Sequence, residues 1–218
     1  MFAKFKKVML VLCSGALVLT AAGCGGNAEP VEPTKSPPTP TTTATSSPPT
    51  ASSSPTAKPT PPPVPGSSKG PAKNWPVPKM PDEAKEKSVD GLKAFTSYYY
   101  ELLAYTLNTD DSKPVRKLTY TDCNACFEEF INTADGNKVA GSWITGANFD
   151  TSVTRAIVDG KSGVVLYTVG QSEILLYASD GTQYASFEAS KKPQPGSMLL
   201  LYDKGWKVQS MEVKAVSK

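Results

Sequence analysis

The chain has 218 residues, four cysteines, twenty prolines and no histidine. Its formal charge of +3 is unevenly spread: residues 1–23 carry +3, residues 24–78 carry +2 and residues 79–218 carry −2. The part long enough to bury a core is therefore slightly acidic, which excludes the basic face that a nucleic-acid partner requires, and the lack of histidine removes the commonest metal ligand and the commonest general base near neutral pH.

The first 23 residues read as an export signal. Lys4, Lys6 and Lys7 precede an apolar stretch over residues 8–19, too short to span a bilayer comfortably. Thr20-Ala21-Ala22-Gly23-Cys24 follows. Small residues before a cysteine let the chain lie extended in a peptidase groove, and the thiol then accepts a diacylglyceryl group. The pattern resembles the bacterial lipobox, with Ala21 departing from the usual Leu. Two other readings compete: a plain secretory signal with Cys24 merely nearby, and an uncleaved anchor. The lipobox reading places residues 24–218 on the extracytoplasmic face of the cell membrane, held through Cys24.

Residues 24–78 read as a disordered linker. Sixteen of the twenty prolines fall in residues 27–78, among many Ser, Thr and Ala, and such a composition cannot offset its conformational entropy by burial. Extended at about 3.1 Å per residue it reaches on the order of 160 Å; as a coil it averages nearer 40 Å. A spacer is the plain reading, and a docking role for its proline motifs the alternative.

Residues 79–218 have the composition and length of one globular domain. Residues 82–87 suggest a short helical turn, and Ser88 can cap the helix after it. Leu92, Phe95, Tyr99, Leu102 and Thr106 recur at three- and four-residue steps, predicting a long helix over about 89–108. A short helix follows over 114–118, with Pro114 in its first turn. A third, capped by Asp122, carries Cys123, Cys126, Phe127, Phe130 and Ile131 and stops at Asp135-Gly136-Asn137. Strands are expected over 138–144, 148–159, 163–171, 183–189, 197–203 and 205–213, with 174–177 as an extension or a bulge. Helices followed by strands with tight turns predict an α+β domain: one long helix and two short ones packed on a curved antiparallel sheet. This order resembles the nuclear-transport-factor-2-like cone, whose long helix lies in the concave sheet, often beside a pocket.

Cys123-Asn124-Ala125-Cys126 is the sharpest local feature. Outside the membrane these thiols should be oxidised to each other. A redox pair at a helix start is the alternative, although a helix and loop precede it instead of the strand of a βαβ unit. Two thiolates do not complete a zinc site, so no metal and no cofactor is expected. Tyr98, Tyr99, Tyr100, Tyr105, Trp143, Tyr167, Tyr177, Tyr184, Tyr202 and Trp206 are core residues or pocket lining. Glu101, Asp150, Glu173 and Glu188 are candidate pocket acids, each a solvated surface acid by default. No spacing identifies a catalytic residue.

Met80-Pro81, Ala84, Gly91, Phe95, Tyr98-Tyr99, Tyr105, Thr109-Asp110 and the Cys123/Cys126 pair carry a further resemblance. The chain is similar to lipoproteins of unknown function from high-GC Gram-positive bacteria, which share a lipobox, a Pro/Thr/Ser spacer and one domain with this helix and cysteine pair. The likeness covers residue 76 to near the C-terminus. Thr109-Asp110-Asp111 departs from the Gly-Asp ending expected after the first helix. That family implies no activity and no catalytic residues. The expected function is a membrane-tethered, non-catalytic module for a cell-wall or envelope partner or a small apolar ligand. A small isomerase or cyclase with a pocket carboxylate, and a thiol oxidoreductase using Cys123 and Cys126, are the alternatives.

Overall fold

The computed structural model describes residues 61–214. The expected signal segment, Cys24 and the linker up to residue 60 lie outside the described residues. After a helical turn at Glu83–Lys85, helix α1 runs over Val89–Thr109. Ser88 starts it as expected: its Oγ accepts the Gly91 N–H at 2.9 Å, which satisfies one of the first-turn donors left unpaired in any helix. Asp110, in the left-handed region at φ 54°, ends it, and its N–H donates to Thr106 O.

Helix α2 (Lys113–Arg116) has its proline in the first turn, as expected. Helix α3 (Asn124–Cys126) begins after Cys123, and no side chain caps it, so the expected Asp122 cap is not made. The helix does not stop at Asp135-Gly136-Asn137. It passes through a π-turn at Phe127–Ile131 and continues as α4 (Asn132–Ala140), ending at Gly141 with φ 67°. Gly136 weakens a helix by about 1 kcal/mol relative to Ala. Tertiary contacts offset this: Asp135 accepts from Ser112 Oγ at 2.6 Å and pairs with Arg116, and Asn137 Nδ2 donates to Asp110 Oδ1 at 3.2 Å. The expected strand over 138–144 is consequently reduced to β1 (Trp143–Thr145).

The other strands are β2 (Phe149–Asp159), β3 (Ser162–Gln171), β4 (Ile174–Tyr177), β5 (Gln183–Phe187), β6 (Gln194–Tyr202) and β7 (Trp206–Val213). They form two antiparallel sheets, β1-β4-β5 and β2-β3-β6-β7. Residues 174–177 are thus a strand in their own right, with Ile174, Leu176 and Tyr177 buried. Inward side chains of the larger sheet, including Val165, Tyr167, Met198, Leu200, Trp206 and Val208, join Leu92, Phe95, Tyr99 and Leu103 of α1 in one core. The class is α+β, with the long helix seated against antiparallel sheets. Two side chains tie the β6–β7 hairpin to the turn before α1: Trp206 Nε1 donates to Glu86 O at 2.8 Å, and Tyr202 Oη to Lys85 O at 2.9 Å.

Residues 61–78, read from composition as linker, lie against the domain as a strap. Val64 and Lys73 exchange backbone hydrogen bonds at 2.8 and 2.9 Å, and Ser67 and Gly70 do so at 2.9 and 3.1 Å. Trp143, stacked on Tyr177 at 5.6 Å, donates its Nε1–H to Ser67 O at 2.8 Å. Proline content misleads here because two tight backbone pairings and one indole donor supply the contacts that composition does not reveal.

Two predictions follow from this packing. A Cβ at Gly163 would lie 2.9 Å from Leu92 and Trp206, where α1 packs on β3. Gly163→Ala should destabilise the domain by about 1–3 kcal/mol in urea titration; an unchanged midpoint would show that α1 does not depend on this approach. Asp110 is 8% exposed, and burial raises its carboxyl from the ordinary 3.8 to about 6 against the opposing effects of Asn137 and Lys138. The folded protein keeps a proton that the unfolded chain releases between pH 4 and 6, so stability should fall as pH rises through that window. Asp110→Asn keeps a residue tolerant of left-handed backbone and cannot ionise. It should flatten a fall on the order of 2 kcal/mol, read by thermal melts at several pH values.

Candidate functional site

The strap, α1 and the end of β1 enclose a cleft of about 580 Å³. Pro65, Gly66, Trp75 and Pro78 come from the strap, Glu101, Ala104, Tyr105 and Asn108 from one side of α1, and residues 145–148 from the turn after β1. Asn108 staples these walls together: Nδ2 donates to Ala104 O at 2.8 Å and Ala147 O at 2.7 Å, and Oδ1 accepts from Ala147 N at 3.3 Å. Gly146, at φ 81°, brings the turn so near Glu173 O that a Cβ would sit 2.5 Å away; only glycine fits there without strain. Tyr105 Oη donates to Asp111 Oδ2 at 3.0 Å. Glu101 is exposed and is the one charged group among the lining residues. Trp75 is 39% exposed, whereas Trp143 and Trp206 are buried at 5% and 1%. The cleft offers an indole, two prolines and a single negative charge.

The concave side of the larger sheet is filled with rings. Tyr100 packs edge-on against Phe149 and Tyr167 at 5.7 and 5.4 Å, and Phe130 meets Phe149 at 5.9 Å. Tyr100 Oη donates to Tyr167 Oη at 2.8 Å. Burial pushes Tyr167 up to about 12 and Tyr100 well above its ordinary value, so both are neutral phenols. Glu129, on the π-turn, has a buried Oε2 with no hydrogen-bond partner among the described residues, and burial raises its carboxyl. It is near enough to raise both tyrosines further. This carboxyl–tyrosine grouping escaped the sequence reading because Glu129 lies among apolar helix positions whose phase the π-turn shifts.

Cys123 and Cys126 lie within disulfide distance, with Cα atoms 5.3 Å apart, and both are buried at 1% or less. They pack with Phe130, Ile131 and Val208 in the core, which suits a cross-link better than an exchanging redox pair. Among the described residues no group of three or more Cys, Asp or Glu is arranged to hold a metal, and no helix is long and apolar enough to cross a membrane.

The candidate residues named from sequence separate clearly. Glu101 and Tyr105 reach the cleft. Asp150, Glu173 and Glu188 are exposed elsewhere. Tyr99, Tyr100, Tyr167 and Trp206 are core, and Tyr184 is 56% exposed on β5. Trp75 was absent from the sequence candidates because it fell inside the expected linker. An isolated tryptophan in a stretch otherwise lacking aromatics was the available signal.

No curated protein sequence matches the chain. Several solved structures resemble it, two of them as follows. The intermembrane space region of chloroplast protein ARC6 is 12% identical, with a TM-score of 0.47, over 59% of this chain and 97% of that one. A nuclear transport factor 2 (NTF2-like) superfamily protein from Salmonella enterica subsp. enterica serovar Typhimurium str. LT2 is 14% identical, with a TM-score of 0.41, over 60% and 95%. The family match begins within the strap, ahead of residue 79. Residues 63–212 match the family of unknown function DUF6318, and the chain belongs to that family.

Proposed function

We propose that this protein is a lipid-anchored component of the cell envelope whose α+β domain is a non-catalytic binding module, and that the cleft between strap and α1 is its binding site. The observation that carries the binding part is that an exposed Trp75 and a Glu101 in no ion pair among the described residues line one cleft of about 580 Å³. An exposed indole beside proline rings favours flat apolar groups, and a lone carboxylate selects a positive charge. The complementary ligand is an apolar or ring-bearing group carrying a cation, on an envelope protein or a small molecule. Anchoring rests on the sequence: the charged start, the short apolar stretch, Cys24 and the proline-rich spacer up to the strap. The ring-filled concave face weighs against an isomerase or cyclase, and the buried cysteines weigh against a thiol oxidoreductase.

Both parts are testable in intact cells. Cys24→Ser should move the protein out of the membrane fraction; continued membrane retention would end the anchoring claim. A photoreactive phenylalanine analogue in place of Trp75 should give a discrete covalent adduct, lost when Glu101→Lys is added. The same analogue at Val139, which is 90% exposed on α4, should give none. Equal adducts at both positions would remove the cleft as the binding site.

A further inference from the structure

The outer face of the larger sheet carries an apolar row that the described residues leave largely uncovered. Ile157, Val164 and Leu166 are 44%, 42% and 43% exposed. Register places Ile157 opposite Val164, Val164 opposite Leu199 and Leu199 opposite Ser210, so these side chains form one row across four strands. The next outward row on one side is Arg155, Leu166, Ser197 and Glu212; on the other it is Asp159, Ser162, Leu201 and Lys207. The charges therefore sit at four corners around the apolar row, positive and negative alternating.

We infer that this face pairs with the same face of a second copy of the chain. A twofold axis lying in the interface and crossing the strands at the central row sets that row against itself, apolar on apolar at Ile157, Val164 and Leu199. The same rotation brings Arg155 over Asp159 of the second copy and Glu212 over Lys207 of the second copy, so every corner meets the opposite sign. Like-signed corners would repel under this operation; alternating corners make the face complementary to itself. Arg155, Asp159 and Glu212 are in no ion pair among the described residues, and Lys207 rests 5.8 Å from the Tyr120 ring. The operation also carries Leu201 of the second copy over a groove of about 440 Å³ beside Leu166, Ser197 and Glu212. An anionic surface would need corners of one sign, which this face lacks.

The contact is small. Four strands about 4.8 Å apart and three rows about 7 Å apart give roughly 400 Å² per copy, below the size of a tight interface. Association is weak and driven by concentration.

Sedimentation equilibrium of the full chain in mild detergent, from about 5 to about 500 µM, tests it across the range where weak dimers form. The wild type should pass from monomer towards dimer. Leu166→Lys should hold it monomeric. Arg155→Glu and Asp159→Arg should each weaken association about tenfold or more, and the two together should restore it to within about threefold of wild type. All three positions point outward, and circular dichroism checks that the variants fold. A monomeric wild type throughout, including one whose own residues 1–60 cover the face, overturns the proposal. So does a dimer indifferent to Leu166→Lys, or a double exchange that fails to restore association.

Discussion

Enclosing α1 is the constraint on which the rest of the structure depends. Twelve of its 21 residues are buried, so its apolar surface wraps too far round the axis to be hidden by one sheet. The larger sheet covers Leu92, Phe95 and Tyr99, and the residues after α1 turn back to cover another side. The helix carries hydroxyls into this interior, and Thr96, Tyr99 and Tyr100 each find a partner there, as buried polar groups must. Thr96 Oγ1 donates to Leu92 O and Thr119 Oγ1 to Val115 O, both at 2.8 Å. Thr119 has then spent its only proton, which leaves Tyr99 as the donor in the 2.8 Å Tyr99–Thr119 contact. The Tyr100–Tyr167 pair closes the same account against β3. The threonine bonds stay within their own turns, whereas the Tyr99–Thr119 and Tyr100–Tyr167 bonds reach outside α1 and fix its rotation, where apolar packing alone would tolerate slippage.

The fixed rotation decides what remains for function. With Tyr99 and Tyr100 turned into the core, Glu101 and Tyr105 point to the side the sheet leaves uncovered. The strap comes across this side and meets α1 without filling the space. The cleft is therefore a by-product of covering a helix that is apolar nearly all round with a segment too poor in apolar residues to finish the task. Cys123 and Cys126 belong to the same enclosure. They close the turn between the segment that pairs with β7, where Tyr120 N donates to Val208 O at 2.8 Å, and the helix carrying Phe130 and Ile131.

Much of this was legible in the sequence. Ser88, the spacing of Leu92, Phe95, Tyr99 and Leu102, and Pro114 identify the first two helices, because caps and periodicity are local properties. The hairpin from β6 to β7 is signalled by Asp203-Lys204-Gly205 for the same reason. What was not legible depends on distant contacts. Asp135-Gly136-Asn137 has turn chemistry, yet Ser112, Arg116 and Asp110 recruit its side chains and keep the chain helical. The strap reads as linker because its order depends on Trp143, about 76 residues away in sequence from Ser67. The site was half visible: Glu101 was named, but Trp75 was hidden by its neighbours' composition. Glu129 was hidden by a π-turn, which no hydrophobic period announces.

The two faces of the larger sheet then take different fates for one physical reason. Strand alternation sends Val165, Tyr167, Met198 and Leu200 inward, where they pack with Leu92, Phe95, Tyr99 and Leu103 of α1. It sends Val164, Leu166, Leu199 and Leu201 outward, where nothing among the described residues packs on them. A strand buried on one face needs polar residues on the other; β7 obeys with Lys207, Ser210 and Glu212, and β2 with Arg155 and Asp159 but not with Ile157. The central strands β3 and β6 do not, and their outward apolar residues are adjacent in register, not scattered. Isolated exposed apolar residues need no explanation, whereas a contiguous row does. The unused capacity for burial in this fold thus lies in the middle of the outer face, framed by the charges of the flanking strands, and not in the concavity that element order alone would suggest.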